Sequence, residues 1–314
     1  MGYAEVLVTG GAGFIGSHLV EELVRGGTSV TVIDNLSTGR SENLGRHLKK
    51  KISFVKGDIR DKDAVDEAVS TRVEAVFHLA AITSVPYSIE QPKVTFEVNV
   101  DGTRNLLEAS QRREVERFVF VSSCAVYGDP QYLPVDERHP LKPMSLYAES
   151  KLEAEKACME FSENYGLKVT ILRPFNAYGP RQRKDQYSGV IAKFMERLHE
   201  GKPPVIYGDG LQTRDFIHVE DAVRAFVLTL RTDSAGGSFF NVGTGVPTSI
   251  NQLARLFLDL FDAEGIEPQY VTARSGDIKH SYADIKEVRT HLGFEPRISL
   301  KDGLARLLRQ QMHA

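Results

Sequence analysis

The chain has no tryptophan and only two cysteines, Cys124 and Cys158, in 314 residues. They form no CxxC pair, so nothing points to a disulfide scaffold or a thiolate metal site, and two thiols in such a chain fit a reducing compartment. Nine histidines are present, yet none falls in HExxH or another paired spacing, and no metal is expected. Long hydrophobic runs are also lacking. The longest, around Val73 to Ile82, is about half of the roughly 20 residues a membrane span needs, and no membrane partner is expected. Nor is positive charge in excess: the formal net charge is −3, which leaves no bulk basic face for nucleic acid. An anionic ligand has to be met by a few placed arginines and backbone amides. No positively charged leader precedes the first apolar run, Val6-Leu7-Val8, so a cytoplasmic location is expected.

What is present is an alternation of short β-branched runs and amphipathic stretches. Val6-Leu7-Val8-Thr9, Val30-Thr31-Val32-Ile33, Ile52-Ser53-Phe54-Val55, Ala75-Val76-Phe77, Phe118-Val119-Phe120-Val121 and Val169-Thr170-Ile171-Leu172 read as six strands. Helix-length segments such as Phe14 to Arg25 separate them, which implies parallel pairing with right-handed crossovers. The fold class is therefore α/β, a Rossmann-type doubly wound parallel sheet, with a ligand crevice at the carboxyl ends of the strands. Past Arg173-Pro174 the rhythm loosens around Gly179-Pro180, Pro203-Pro204 and Gly208-Asp209-Gly210. Phe216-Ile217 and the helix after Val219 read as a return to the first lobe. The expected division is residues 1–175, with a return segment at about 208–248, and a smaller, discontinuous α/β substrate lobe from 176–207 and 249–314.

Gly10, Gly13 and Gly16 follow the first strand in GxxGxxG spacing and open the first helix. The first glycine permits a tight turn, the second lets a pyrophosphate approach the backbone, and the third lets helix and sheet pack closely. Free amides at that helix start, around Phe14 and Ile15, favour phosphate. Asp34 ends the second strand, where an acid binds a ribose diol and repels a 2′-phosphate, so NAD is favoured over NADP; Arg40 nearby complicates that choice. Asn35 adjoins it. Gly57-Asp58-Ile59 after the third strand is placed to flank the adenine, and Leu79-Ala80-Ala81 offers small residues on the nicotinamide side.

Tyr147 and Lys151 stand four apart at the start of a helix and share one face. An unperturbed phenol has a pKa of about 10. A nearby ammonium and a positive nicotinamide both favour the phenolate, which can take a hydroxyl proton while the geminal hydride leaves. Ser123, at the end of the fifth strand, can hydrogen-bond the same substrate oxygen.

This run of motifs resembles the extended short-chain dehydrogenases/reductases, and most closely the UDP-glucose 4-epimerase group of nucleotide-sugar epimerases. The resemblance rests on the glycine motif, Asp34, Asp58, Asn99, Ser-Ser-x-x-Val-Tyr-Gly at 122–128, Tyr147 with Lys151, Leu172-Arg173-Pro174-Phe175-Asn176, Arg214-Asp215-Phe216-Ile217-His218-Val219 and Asn241-Val242-Gly243. It implies Ser123, Tyr147 and Lys151 as the catalytic group, Asn99 and Pro174 among the cofactor-binding residues, and residues 1–175 as the NAD-binding domain. Thr83, Ser123, Asn176, Val205, Tyr207, Arg214, Arg274 and Ser281 are expected on a UDP-sugar, with Val205-Ile206-Tyr207 as a strand edge along the base. A homodimer is implied through the helix bearing Lys151 and the one from Val94 to Arg112.

Sister enzymes of the resemblance begin with the same oxidation at carbon 4. The 4,6-dehydratases add an acid and a base just after the catalytic Ser or Thr, and the decarboxylases carry a similar Ser-Glu. Cys124 and Ala125 stand there instead, and alanine cannot move a proton. Epimerisation needs only a firmly held nucleotide and a loosely held sugar. Ser281 aligns where glucose-restricted epimerases resemble a bulkier tyrosine, so room for a 2-acetamido group is expected. Two alternatives stay open: another nucleotide-sugar dehydrogenase, reductase or decarboxylase of this fold, and a non-catalytic NAD-binding sensor.

Overall fold

The computed structural model describes residues 3–45, 51–182, 189–232, 236–274 and 276–312. The first apolar run is β1 (Glu5–Thr9), and α1 (Phe14–Arg25) then buries Leu19, Val20 and Leu23, the three-and-four spacing of one helical face. β2 (Ser29–Ile33), β3 (Ile52–Val55), α2 (Lys62–Ala68) and β4 (Ala75–His78) continue the alternation. Two short helices, α3 (Val85–Glu90) and α4 (Pro92–Phe96), run through a π-type turn at Glu97–Asp101 into α5 (Gly102–Arg112). β5 (Arg117–Val121), a 3-10 turn (Cys124–Tyr127), the long α6 (Leu146–Tyr165) and β6 (Lys168–Pro174) follow.

Six of these strands and a later one form a seven-stranded parallel sheet in the order β3-β2-β1-β4-β5-β6-β10, where β10 is Ser238–Val242. Along β1, Val6 and Val8 enter one core and Leu7 the other, as the pleat requires. Helices cover both faces, α1 on one and α6 on the other, with Ala154, Ala157 and Cys158 of α6 packed beneath the sheet. The strand order reverses between β1 and β4, so the crevice opens above Thr9, Ile33, His78 and Val121. Six strands were expected. The seventh sits in the later segment, where Phe240 and Val242 are buried but glycines on both sides interrupt the apolar pattern.

The rest of the chain builds smaller sheets. β7 (Asn176–Tyr178) is followed by α7 (Val190–His199), β8 (Val205–Tyr207), β9 (Thr213–His218) and α8 (Val219–Arg231). After β10 come β11 (Pro247–Ser249), α9 (Ile250–Leu260), β12 (Gln269–Val271), β13 (His280–Ser281), α10 (Lys286–Leu292) and α11 (Leu300–Met312). β9 pairs with β7, β11 and β13, and β8 pairs with β12. Phe216-Ile217, read from sequence with the first lobe, thus belongs to a different sheet. Its strand faces two ways: Phe216 enters a third core with Phe194, Leu253 and Phe257, while Ile217 reaches the main one. The helix after Val219 packs in the main core through Ala222, Val223 and Phe226.

Candidate active site

The glycine turn is shaped by what a side chain would hit. Gly10 has φ +67°, and a Cβ there would lie 2.9 Å from the Ala80 amide nitrogen; a Cβ on Gly16 would overlap the Gly10 carbonyl oxygen. Gly13 caps α1 without any side-chain hydrogen bond, so the first amides of the helix point free toward an anion. At the end of β2, Asp34 is 8% exposed. Its carboxylate accepts from the backbone N–H groups of Ala12 at 3.0 Å and Leu36 at 2.8 Å. Burial raises its pKa, and those two donors oppose the rise. Two bonds leave lone pairs over for a diol. Farther out, Asn35 donates to Asp58 at 2.9 Å, and the Arg60 guanidinium holds Asp58 down to about 2.

On the opposite side of the reversal, Thr9 Oγ1 accepts from the amides of Leu79 and Ala80 and bonds His78, fixing the backbone at Leu79-Ala80-Ala81. One cleft of about 1750 Å³ runs from the glycine turn past Asp34 and Asp58 to the ends of β4, β5 and β6. Every cofactor and catalytic residue expected from sequence lines it except Asn99. Asn99 is buried, and its amide is spent on Ile82 N, Ile82 O and Ser150 Oγ; it ties α6 to the loop after β4 and does not face the cleft. Ser122, on the same wall, buries a hydroxyl with no partner among the described residues. A glycine cradle, an uncapped helix start, a diol-ready carboxylate and a spare buried hydroxyl fit a dinucleotide.

Ser145 caps α6 by accepting from the Ala148 amide, which sets Tyr147 on the first turn and Lys151 one turn later. Ser123 lies two residues beyond β5 and caps the 3-10 turn that follows. Its Oγ accepts from Ala125 N at 3.2 Å, leaving its proton to donate, and the Ser123 hydroxyl is near enough to the Tyr147 phenol to lower its pKa. Burial pushes that phenol up to about 12, and the Ser123 hydroxyl opposes the rise. Lys151 is drawn down to about 8 by burial and donates to Val121 O at 2.7 Å, over the Phe120 ring. Sequence reasoning expected Lys151 to lower the phenol. In the structure its ammonium is engaged by the Val121 carbonyl, and burial of the phenol outweighs the one group that lowers it, the Ser123 hydroxyl. Cys124 is pushed up to about 12 by burial, which makes it a poor nucleophile.

The expected substrate residues divide. Thr83 and Ser123 line the cleft; the others gather on the small sheets outside its lining. Arg214 on β9 stands in register with Ser281 on β13 and pairs with Asp277 at 2.6 Å. Arg274 lies over the Tyr207 ring at 3.9 Å, beside Val205 on the same strand. Asn176 donates to Asp215 O. The charges of Arg214 and Asp215 act on Cys124, so this group adjoins the catalytic turn.

A sequence model of the NAD dependent epimerase/dehydratase family matches residues 6–243. The chain belongs to this family. Among relatives of this epimerase/dehydratase chain, a UDP-glucose 4-epimerase of Mycolicibacterium smegmatis is 40% identical over 302 residues, covering 96% of each chain. The structure is similar to a UDP-glucose 4-epimerase of Thermotoga maritima solved with UDP-glucose (TM-score 0.92, 38% identity, 98% and 99% coverage). It is also similar to a UDP-N-acetylglucosamine 4-epimerase of Methanobrevibacter ruminantium in complex with UDP-N-acetylmuramic acid (TM-score 0.94, 37% identity, 100% and 99% coverage).

Sequence reasoning missed several residues of the site in this family member. Gly39 backs onto the Asp34 carboxylate, with Asn43 and the Arg40 amide both donating to Ala12 O. The Ser37-Thr38-Gly39 turn signal after Asp34 marked that loop. Arg60 stands two residues after Asp58, beyond Ile59. Asp277 lies three residues after Arg274 but takes its meaning only from Arg214, 63 residues away.

Proposed function

We propose that the protein inverts carbon 4 of a UDP-hexose through a transient 4-keto sugar, with Ser123, Tyr147 and Lys151 as its catalytic group. The observation that carries this reading is that Ser123, Tyr147 and Lys151 line the same cleft as the glycine turn and Asp34. When bound, NAD supplies the hydride acceptor and donor, and its positive ring favours the phenolate. Tyr147 takes the proton of the 4-hydroxyl and later returns it; Ser123 donates to the same oxygen and holds it against the phenol. Lys151, cationic below about pH 8, adds a favourable charge one turn away. Residues 1–175, with the return segment at about 208–248 less β9 (Thr213–His218), which pairs in the small sheet, are assigned to the dinucleotide, with Asp34 selecting NAD over NADP. Residues 176–207 and 249–314 are assigned to the nucleotide sugar.

Arg214 and Arg274 suit the diphosphate, as charge-assisted donors that anchor the nucleotide while the hexose turns. Ala125, where a dehydratase would place an acid, favours epimerisation over elimination. Ser281 is 9% exposed on β13, and its small side chain suits UDP-N-acetylhexoses as well as UDP-glucose and UDP-galactose. Ser281→Tyr is expected to abolish turnover of UDP-N-acetylglucosamine and spare UDP-glucose; equal loss of both refutes the assignment. Two free thiols suit a cytoplasmic setting, and a role in galactose metabolism follows from the plain sugars. A homodimer through α5 and α6, adjacent through Arg104 and Glu160 at 3.2 Å, belongs to the same proposal. A monomer by light scattering at micromolar concentration would end it.

The decisive experiment incubates the protein with UDP-glucose or UDP-N-acetylglucosamine and no added cofactor, following products by NMR. Four-epimers are expected. Consumption of stoichiometric NAD with no inverted isomer would replace the reading by a dehydrogenase, and no sugar turnover with NAD still bound would favour a sensor.

A further inference from the structure

Tyr147 and Lys151 come from α6, while Ser123 comes from the turn after β5, so their mutual placement depends on what joins those elements. The turn is closed on itself: Ser123 Oγ accepts from Ala125 N, Ser123 O from Val126 N, and Ala125 O from Gly128 N. Those bonds shape the turn without locating it against the helix. Its far end, Tyr127, is buried. The Tyr127 hydroxyl donates to Asn241 Oδ1 at 2.7 Å and accepts from Arg173 Nη1 at 3.0 Å. The same guanidinium grips both oxygens of Glu155 on α6, at 3.0 and 2.6 Å. Glu155 lies one turn beyond Lys151 and two beyond Tyr147, on a continuous helix.

We propose that Tyr127 is a positioning residue whose hydroxyl, held between Arg173 and Asn241, fixes the Ser123 turn against the helix carrying Tyr147 and Lys151. The proposal rests on the reaction assigned above. Its geometry needs little slack, since catalytic groups must be held to about 0.5 Å of their productive positions. The members of the tie are well placed for that. The side chains of Arg173 and Glu155 are 2% and 3% exposed and Asn241 is fully buried, so each bond acts in a low dielectric without competing water. Asn241 is itself fully engaged: its side-chain amide donates to Val135 O and its backbone N–H to Glu137 Oε1, and it stands opposite Arg173 in the sheet. The Tyr127 ring would pack equally well as phenylalanine, with Arg173 over one face at 5.0 Å. What phenylalanine cannot supply is the link. Arg173 Nη1 would keep only Glu137 O at 3.4 Å, and Asn241 Oδ1 would lose the Tyr127 hydroxyl.

The test is Tyr127→Phe, with Arg173→Lys as a second variant that keeps a cation beside Glu155 but cannot also reach Tyr127. Three quantities are read below the melting temperature. The kcat for carbon-4 inversion should fall about tenfold with KM within about twofold. The acidic limb of the kcat–pH profile should move to higher pH, because a loosened Ser123 no longer favours the phenolate. Alkylation of Cys124, the next residue of the turn, should accelerate at least fivefold relative to Cys158 on α6, as read by mass spectrometry. Lower melting temperatures with unchanged kcat, pH limb and Cys124 labelling overturn the proposal. If the wild type leaves UDP-sugars unaltered, the assigned reaction fails, and the labelling ratio still decides whether Tyr127 anchors the turn: an unchanged ratio refutes it.

Discussion

Lys151→Met tests the electrostatics of the catalytic pair. On one helical face, the Cβ atoms of residues four apart lie roughly 6 Å from each other, which sets the scale for an ammonium beside the phenolate. At an effective dielectric of about 20, a unit charge at that distance favours the phenolate by about 3 kcal/mol, or about 2 pH units. The sign follows from the charge. Lys151 is cationic below about pH 8, so its removal disfavours ionisation of Tyr147 and drives the acidic limb of kcat upward by about 2 units. At pH 7 the rate of inversion should then fall about a hundredfold. Methionine keeps an unbranched side chain of similar length beside Phe120 but removes the ammonium, both from over the ring and as the donor to Val121 O. The assay is 4-epimer formation by NMR from pH 6 to 10, with retained dinucleotide measured after heat release so that cofactor loss is scored separately. A limb that stays within half a unit of the wild type, with NAD content unchanged, refutes the electrostatic role and leaves Lys151 a purely structural donor to the strand.

Three other perturbations have definite outcomes. Gly39→Ala would set a Cβ 2.9 Å from both oxygens of Asp34, and is expected to weaken NAD binding about tenfold by calorimetry with little change in melting temperature; unchanged affinity would remove Asp34 from the ribose site. Glu155→Ala strands the buried Arg173 guanidinium and should cost about 3–5 kcal/mol in urea unfolding, and a loss below 1 kcal/mol would contradict that burial. Glu137 is raised to about 7 by burial, with Glu287 and Asp284 adding to the rise. Its folded form holds a proton that the unfolded chain has released, so stability falls as pH rises from about 4.5 to 7. Glu137→Gln keeps an acceptor for the Asn241 amide and should therefore be about 1–3 kcal/mol more stable than wild type at pH 8 and equal to it at pH 4.5, as urea midpoints at the two values will report.

What was legible in the sequence is what local pattern encodes. β1, α1 and the glycine turn follow from a β-branched run, a three-and-four spacing and three glycines, all within residues 5–25, and the structure places them with Asp34 in one cleft. Tyr147 and Lys151 were equally readable, because four residues on a helix is a distance. The seventh strand was not, since Ser238–Val242 takes its place only by pairing with β6, 68 residues earlier in register. Both residues of Phe216-Ile217 are apolar, which suggests a return to the first lobe; period-two alternation sends them into two different cores, and pairing with β7 decides the sheet.

The same distinction explains Asn99 and Lys151. A motif identifies a residue that the fold needs near the site, but its partners decide what it does there. Asn99 spends its amide on Ile82 and Ser150, which are 17 and 51 residues away, and so braces the cleft from behind. Lys151 spends a proton on Val121 O, 30 residues away, and so pins α6 to the end of β5. Tyr127 completes the argument: its hydroxyl partners are 46 and 114 residues distant, and in sequence it is only an aromatic before a glycine. The groups that carry chemistry were visible because they lie close together along the chain, whereas the groups that hold them to a fraction of an ångström lie far apart in sequence and are joined only by the sheet.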